Sequence, residues 1–156
     1  DDHLTADSAK AVIYGGDGDD FIYVTENATA AVIDGGAGAD TFDITGATLG
    51  VEAFATFNNV GAGDTFILNA GNFSSAAVSM TLGDPSTSDW INAAFVHTDA
   101  DEAIWFQHNG DTYIVVNAAG STDAFDAAND VVVKLTGLID LSTASFNATD
   151  GTLEIA

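Results

Sequence analysis

A glycine-rich nonapeptide appears twice, twenty residues apart, and that spacing restricts the possible folds more than any other feature of the chain. Gly15 to Tyr23 reads GGDGDDFIY and Gly35 to Asp43 reads GGAGADTFD. Each has the form G-G-x-G-x-D followed by apolar residues, a glycine turn that ends in a carboxylate and runs directly into a strand. The acids are Asp20 and Asp40. A third copy, GAGDTF from Gly61 to Phe66, lacks the leading glycine pair and is one residue shorter in the turn; its acid is Asp64.

Short apolar runs flank each turn. AVIY at 11–14, AVID at 31–34 and ATFN at 55–58 precede the turns, while FIYV at 21–24, TFDI at 41–44 and TFIL at 65–68 follow them. Polar turns without the glycine motif, TENAT at 25–29 and TGATLG at 45–50, join one unit to the next. A twenty-residue unit of strand, plain turn, strand and glycine turn suits a parallel β-solenoid, in which each coil returns one strand spacing higher. At about 4.8 Å per step the glycine turns stack on one side, with Asp20 near Asp40 and Asp40 near Asp64. Two ionised carboxylates that close repel by roughly 3 kcal/mol at an effective dielectric near 20. The alternative is a tight turn between strands with its Asp merely capping it, and the second in-phase copy counts against that reading.

The motif resembles the nonapeptide repeat of the repeats-in-toxin (RTX) family, G-G-x-G-x-D-x-U-x with U large and apolar, here Ile22 and Phe42. The resemblance implies a β-roll that holds calcium between consecutive turns. It places the repeat carboxylates on Asp20, Asp40 and Asp64, and the supporting peptide groups on Gly15, Gly16, Asp17, Gly18 and Asp19, on Gly35, Gly36, Ala37, Gly38 and Ala39, and on Gly61 to Gly63. Calcium takes six to eight oxygens, carboxylate and carbonyl alike. Asp17 and Asp19 offer extra carboxylates in the first turn, where the second has Ala37 and Ala39. A site between turns one and two is therefore expected ahead of one between turns two and three, where the spacing of the acids grows to 24 residues.

Charge points the same way. The chain of 156 residues carries 24 acids against two lysines, for a net charge of −22. Such a surface disfavours nucleic acid and anionic membranes and attracts divalent cations. With 47% hydrophobic residues, a folded core is expected all the same. There are no cysteines, which removes disulfides and thiolate chemistry. No apolar run is long enough for a membrane helix, so no membrane insertion is expected, and DDHLTADS has no signal-peptide pattern. Because the first residue is Asp, part of a longer chain is expected.

The pattern changes at Pro85, the only proline. We divide the chain there into a roll at 1–85 and a β-rich C-terminal cap at 86–156. Ser88 or Asp89 is expected to cap a short helix presenting Trp90, Ile91, Ala94 and Phe95, lying over the open end of the stack. AIWFQ at 103–107 and TYIVV at 112–116, joined through Asn109-Gly110, read as a hairpin, and DVVVKLTG at 130–137 as a strand. From Trp90 to Ala156 this half is similar to the C-terminal regions of bacterial surface-layer and related proteins exported by type I secretion. That similarity implies an uncleaved C-terminal export signal, the type I machinery as a partner, and a secreted product on the cell surface.

Asp123, Asp126 and Asp130 read either as a further calcium site or as a solvated acidic loop, and their spacing does not match an EF-hand. His3, His97 and His108 are isolated, and no zinc, nucleophile-elbow, phosphate-loop or dinucleotide motif occurs. No enzyme activity is expected. Trp90, Phe95, Trp105, Phe106 and Tyr113 serve either a carbohydrate groove or a core.

The expectation is thus an all-β protein, a short parallel β-roll or solenoid with calcium-binding glycine turns on one side and a β-rich cap with one short helix. As a function we expect a calcium-binding structural module of a secreted surface-layer protein that self-associates in a lattice and meets cell-surface polysaccharide. The alternative is the export tail of an RTX protease, lipase or adhesin.

Overall fold

Apolar and polar residues alternate along each strand, so each buries one face. In the computed structural model, which describes residues 1–47, 53–80, 82, 86–118, 125–126 and 128–156, the protein is mostly β with one short helix. The first strands are β1 (His3–Ala6), β2 (Val12–Asp17), β3 (Phe21–Thr25), β4 (Val32–Ala37), β5 (Thr41–Gly46), β6 (Ala55–Asn58), β7 (Thr65–Ile67) and β8 (Asn72–Phe73). Helix α1 (Thr87–Phe95) follows, then β9 (Glu102–His108), β10 (Asp111–Asn117), β11 (Val131–Leu135), β12 (Ser145–Asn147) and β13 (Thr152–Glu154). Pro85, where the sequence divides, lies outside the described residues.

Two mixed sheets result, in the orders β1-β3-β5-β7-β13-β12 and β2-β4-β6-β11-β10-β9-β8. Strands on either side of the glycine turns alternate between the two sheets, and within each sheet the early strands pair in parallel, β1 through β7 in one and β2 through β6 in the other. The twenty-residue spacing appears directly as register, Ile13 opposite Ile33 and Ile22 opposite Phe42, and the longer third unit as Ile33 opposite Phe57. One row of partners runs Leu4, Ile22, Phe42, Phe66, Leu153 and Phe146 across the first sheet. Phe42, Phe57 and Phe66 meet between the sheets at centroid distances of 5.0–5.1 Å. Fully burying a side chain of this size contributes about 1.5–3 kcal/mol.

Both sheets take strands from either side of that division, since β11 extends β6 in parallel and β13 extends β7 antiparallel. A single core contains Ile22, Phe42 and Phe66 together with Ile114, Val133 and Leu153. The expected hairpin forms at Asn109 (φ 52) and Gly110 (φ 87), with His108 opposite Asp111. That pair of left-handed residues matches the twist of the flanking strands.

Two expectations about the helix are corrected. Its N-cap is Ser86, not Ser88 or Asp89: Asp89 N–H donates to Ser86 Oγ while Ser86 N–H donates to Asp89 Oδ2, a capping box that requires the acid three residues inside. Nor does α1 lie over the end of the stack. Ile91, Ala94 and Phe95 pack with Ile104, Phe106, Tyr113 and Val115 of β9 and β10 in a separate cluster. Strands β11 and β13 cover that end instead, because a sheet edge needs backbone donors and acceptors that the flank of a helix lacks.

Candidate metal centre

The G-G-x-G-x-D turns divide into a strand half and a bend. Gly15 to Asp17 and Gly35 to Ala37 belong to β2 and β4, with Gly16 opposite Gly36 and Asp17 opposite Ala37, so what reads as turn in the sequence begins as ladder. The chain then bends through Gly18 (φ 106) and Gly38 (φ 147), conformations that favour glycine. The acid follows at once and points inward.

Asp20, Asp40 and Asp64 are 2–3% exposed and stacked on one another. Each accepts a hydrogen bond from the main chain of the rung before it. Asp40 N–H donates to Asp64 Oδ1 at 2.9 Å, Asp20 N–H to Asp40 Oδ1 at 2.9 Å, and Asp2 N–H to Asp20 Oδ1 at 2.6 Å. A second, outer series runs the opposite way: Asp19 N–H donates to Asp1 Oδ1 and Ala39 N–H to Asp19 Oδ1, both at 2.8 Å. Neighbouring rungs are therefore laced in both directions. Ala39 has no carboxylate to continue the outer series, and the N–H of Gly63 donates instead to Ile155 O.

This packing explains the first glycine of each motif. A Cβ on Gly15 would overlap Gly35 O and Asp20 Oδ2, and one on Gly35 would overlap the Asp40 carboxylate. Asp20 Oδ2 is buried without a hydrogen-bond partner. It and Gly35 O border the same small space, the one a Cβ on Gly15 would fill. A buried unsatisfied carboxylate oxygen is costly, and an oxygen-seeking cation would satisfy it. The space between turns one and two thus offers an oxygen-seeking cation Asp20 Oδ2 and Gly35 O, with the exposed Asp17 and Asp19 on the same turn as Asp20. The third turn is differently disposed. Asp64 uses its second oxygen to accept from Gly61 N–H at 2.9 Å, which leaves it less to offer an ion. Among the described residues, no three His, Asp or Glu side chains are grouped to hold a metal by themselves, so peptide oxygens would supply the rest.

The stacked charges affect proton affinity. Burial pushes the Asp40 carboxyl above its usual value; the hydrogen bond from Asp20 N–H lowers it, and the charges of Asp64, Asp20 and Asp19 raise it further. By contrast, hydrogen bonds from Thr25 and Asn27 lower that of Asp7.

The acidic loop is only partly as expected. Asp123 lies outside the described residues. Asp126 is half-buried and binds Asn129 Nδ2 and Ala128 N–H, but Asp130 is fully buried and not solvated. It accepts from Ala118 N–H at 3.0 Å and Asp126 N–H at 2.6 Å, closing the base of the segment between β10 and β11. A carboxylate placed just before a strand can stand in for missing backbone acceptors, and spacing alone does not distinguish that from an exposed acid. Phe95, Trp105, Phe106 and Tyr113 are buried in the two cores, and half-buried Trp90 stacks on Phe106 and on His108, the latter at 4.8 Å. They pack the protein and do not line a carbohydrate groove.

Asp1 and Asp2 were not among the expected site residues, yet β1 places them in register beneath Asp19 and Asp20. The signal was available: DDHL matches DDFI, with Leu4 in the place of Ile22. A polar cleft of about 340 Å³ opens at the other ends of the strands, bordered by Thr45, Asn69, Asp101, Thr149 and Asp150. No described helix is long and apolar enough to cross a membrane. No family model matches the chain, and no curated protein matches it.

Proposed function

We propose that this chain is a calcium-binding structural module of a secreted bacterial surface-layer protein, built as a short RTX-type β-roll with a β-rich cap, and that it folds and assembles on extracellular calcium. The observation that carries the reading is the buried, unpartnered Asp20 Oδ2 beside Gly35 O, inside a ladder of stacked aspartates. The parallel register supports the roll, and the net charge of −22 supports the need for a counter-cation. The module holds and presents a surface, and performs no catalysis.

Calcium supplies two positive charges and a preference for oxygen ligands. The chain's own part is to bring Asp20 and Asp40 one rung apart, turn the peptide oxygens of the glycine bends toward them, and exclude water. Where calcium is scarce the stacked carboxylates oppose closure, and the chain is exported open by a type I system. Outside, binding energy becomes folding energy. At a dissociation constant of about 0.1 mM, 1 mM calcium contributes roughly 1.4 kcal/mol per site. Lattice neighbours meet the acidic outer faces, and cell-surface polysaccharide meets the polar cleft at Asn69, Asp101 and Thr149.

Circular dichroism with calcium and with EGTA tests the proposal. A β spectrum that strengthens on adding calcium, saturates, and weakens again in EGTA to a smaller folded fraction is expected. A chain equally β-structured in both would sink it.

A further inference from the structure

The polar cleft of about 340 Å³ lies where β7 runs out, between residues 68–71 and the turn at 148–151. Its walls carry acceptors that the protein leaves unused. Leu68 N–H donates to Gly151 O, but Gly151 N–H turns away to Asn147 O, so the pairing of β7 with β13 ends with Leu68 O unclaimed by its opposite residue. Leu68 O and Ala70 O both border the space that a Cβ on Gly151 (φ 68) would fill. Asp101 supplies a further acceptor. Its Oδ1 accepts Gly71 N–H at 2.9 Å, while its Oδ2 borders the space a Cβ on Gly71 would fill and accepts no hydrogen bond among the described residues. A side chain at 71 or 151 would collide with these oxygens.

The charge around the cleft is one-sided. Neither lysine borders it: Lys134 is paired with Asp111 at 2.7 Å, and Lys10 belongs to the turn before β2. Asp150, also in the lining, adds a second negative charge with both oxygens already engaged, by Thr152 and by Asn147 Nδ2. An anionic ligand is therefore repelled, and one that brings donors and positive charge is favoured. An ammonium group has three donors and no acceptor, and it matches Asp101 Oδ2 in charge. The cleft has room for more than that group, since pockets for small ligands begin at roughly 300 Å³. Asn69 and Thr149 also line it, with an exposed amide and hydroxyl whose atoms make no hydrogen bond among the described residues. Such groups suit the hydroxyls of a sugar ring.

We propose that the cleft is a subsite for one amino-sugar unit of a polysaccharide, with the ammonium held by Asp101 and the unclaimed carbonyl oxygens, and the ring hydroxyls by Asn69 and Thr149. Specificity comes from what the cleft rejects as much as from what it holds. An N-acetylated unit has lost the charge and two of the three donors, and it sets a carbonyl against acceptors. A unit bearing a carboxylate or phosphate meets Asp101 and Asp150 charge against charge. This rests on the polysaccharide part of the proposed function and not on its calcium part.

The test titrates the whole chain by calorimetry, under conditions in which circular dichroism shows it folded, with a glucosamine trimer, the N-acetylated trimer and methylamine. Saturable one-to-one binding of the glucosamine trimer is expected, with the N-acetylated trimer roughly tenfold weaker, the worth of one charge-assisted hydrogen bond. Asp101→Asn should abolish that difference while keeping the parent's melting temperature, because the amide retains an oxygen for Gly71 N–H and asparagine tolerates the left-handed backbone at this position (φ 65). Asp7→Asn removes the same charge on a different turn and should leave binding unchanged. Asn69→Ala should weaken the trimer and not methylamine. Indifference to Asp101→Asn, or an equal loss in Asp7→Asn, would overturn the proposal by showing attraction to net charge alone. Equal binding of both trimers would overturn the amine and keep the polysaccharide reading, whereas binding of neither would overturn both. Methylamine binding as tightly as the trimer, together with a concentration-dependent dimer that Lys10→Ala abolishes, would overturn it in favour of a lysine from a second copy.

Discussion

Replacing Asp40 with Asn separates the two roles of the buried ladder, because the amide keeps the hydrogen-bonding shape and loses the charge. The Oδ1 that accepts Asp20 N–H at 2.9 Å remains, so no buried donor is orphaned; the bond drops from charge-assisted to neutral, a loss of about 1 kcal/mol. Against this, the charge of Asp40 lies one rung from Asp20 and one from Asp64. At roughly 4.8 Å and an effective dielectric near 20, each such pair costs about 3 kcal/mol. Relieving even one of them leaves a net gain of about 2 kcal/mol without calcium, or a melting temperature higher by about 4–8 °C in a chain of this size. With calcium the same substitution removes an ionised ligand. The rise that 1 mM calcium gives the parent, about 3–6 °C for one site, should shrink toward zero. Thermal melts followed by circular dichroism in EGTA and in 1 mM calcium read both effects. An Asp40→Asn protein that melts below the parent in EGTA, or gains as much from calcium as the parent does, would refute the reasoning, since charge would then not be what opposes the stack.

Four other outcomes follow from the same geometry. Asp20→Ala should weaken calcium-dependent folding more than Asp126→Ala, because only Asp20 has a buried unpartnered oxygen in the stack; a calcium titration giving the reverse order would move the site. Gly35→Ala drives a Cβ into the Asp40 carboxylate and should cost about 1–3 kcal/mol in urea unfolding, with or without calcium. Asp130→Ala leaves Ala118 N–H and Asp126 N–H without their acceptor and should cost about 2–4 kcal/mol, independent of calcium; a calcium-dependent loss would mark that loop as a metal site after all. The proton affinity of Asp40 is raised on folding, so the folded state binds its proton more tightly than the unfolded. Its contribution is complete below the ordinary carboxylate value near 3.8 and is lost as pH rises through the raised folded value. In EGTA, lowering the pH through that window should raise the melting temperature of the parent relative to Asp40→Asn.

The stacking of the repeat acids was legible because repeats report on their own neighbours. Two identical turn patterns twenty residues apart imply that the turns stack if the strands do, and Asp20, Asp40 and Asp64 are stacked. What could not be read was direction. No spacing says that each carboxylate reaches back to the N–H of the previous rung, or that Asp19 reaches forward to Ala39, because both depend on how the bend at Gly18 and Gly38 aims the peptide groups. The same limit applies at Asp130, whose burial is decided by the strands around it, and at Ser86, where a competing serine and aspartate nearby made the cap ambiguous.

The sequence by itself determined the mostly β character, the strand–turn period, the register that puts Ile22 on Phe42, the hairpin at Asn109-Gly110 and the identity of the stacked acids. All of these are local, repeating every two or every twenty residues, and local signals survive without knowledge of what packs against them. The tertiary structure alone decided how the ladder ends. That β11 and β13 from the distant half close one edge and that α1 lies on β9 and β10 instead depend on which unpaired backbone groups and uncovered side chains remain after the repeat is built. Those are properties of the assembled surface, and no single segment carries them.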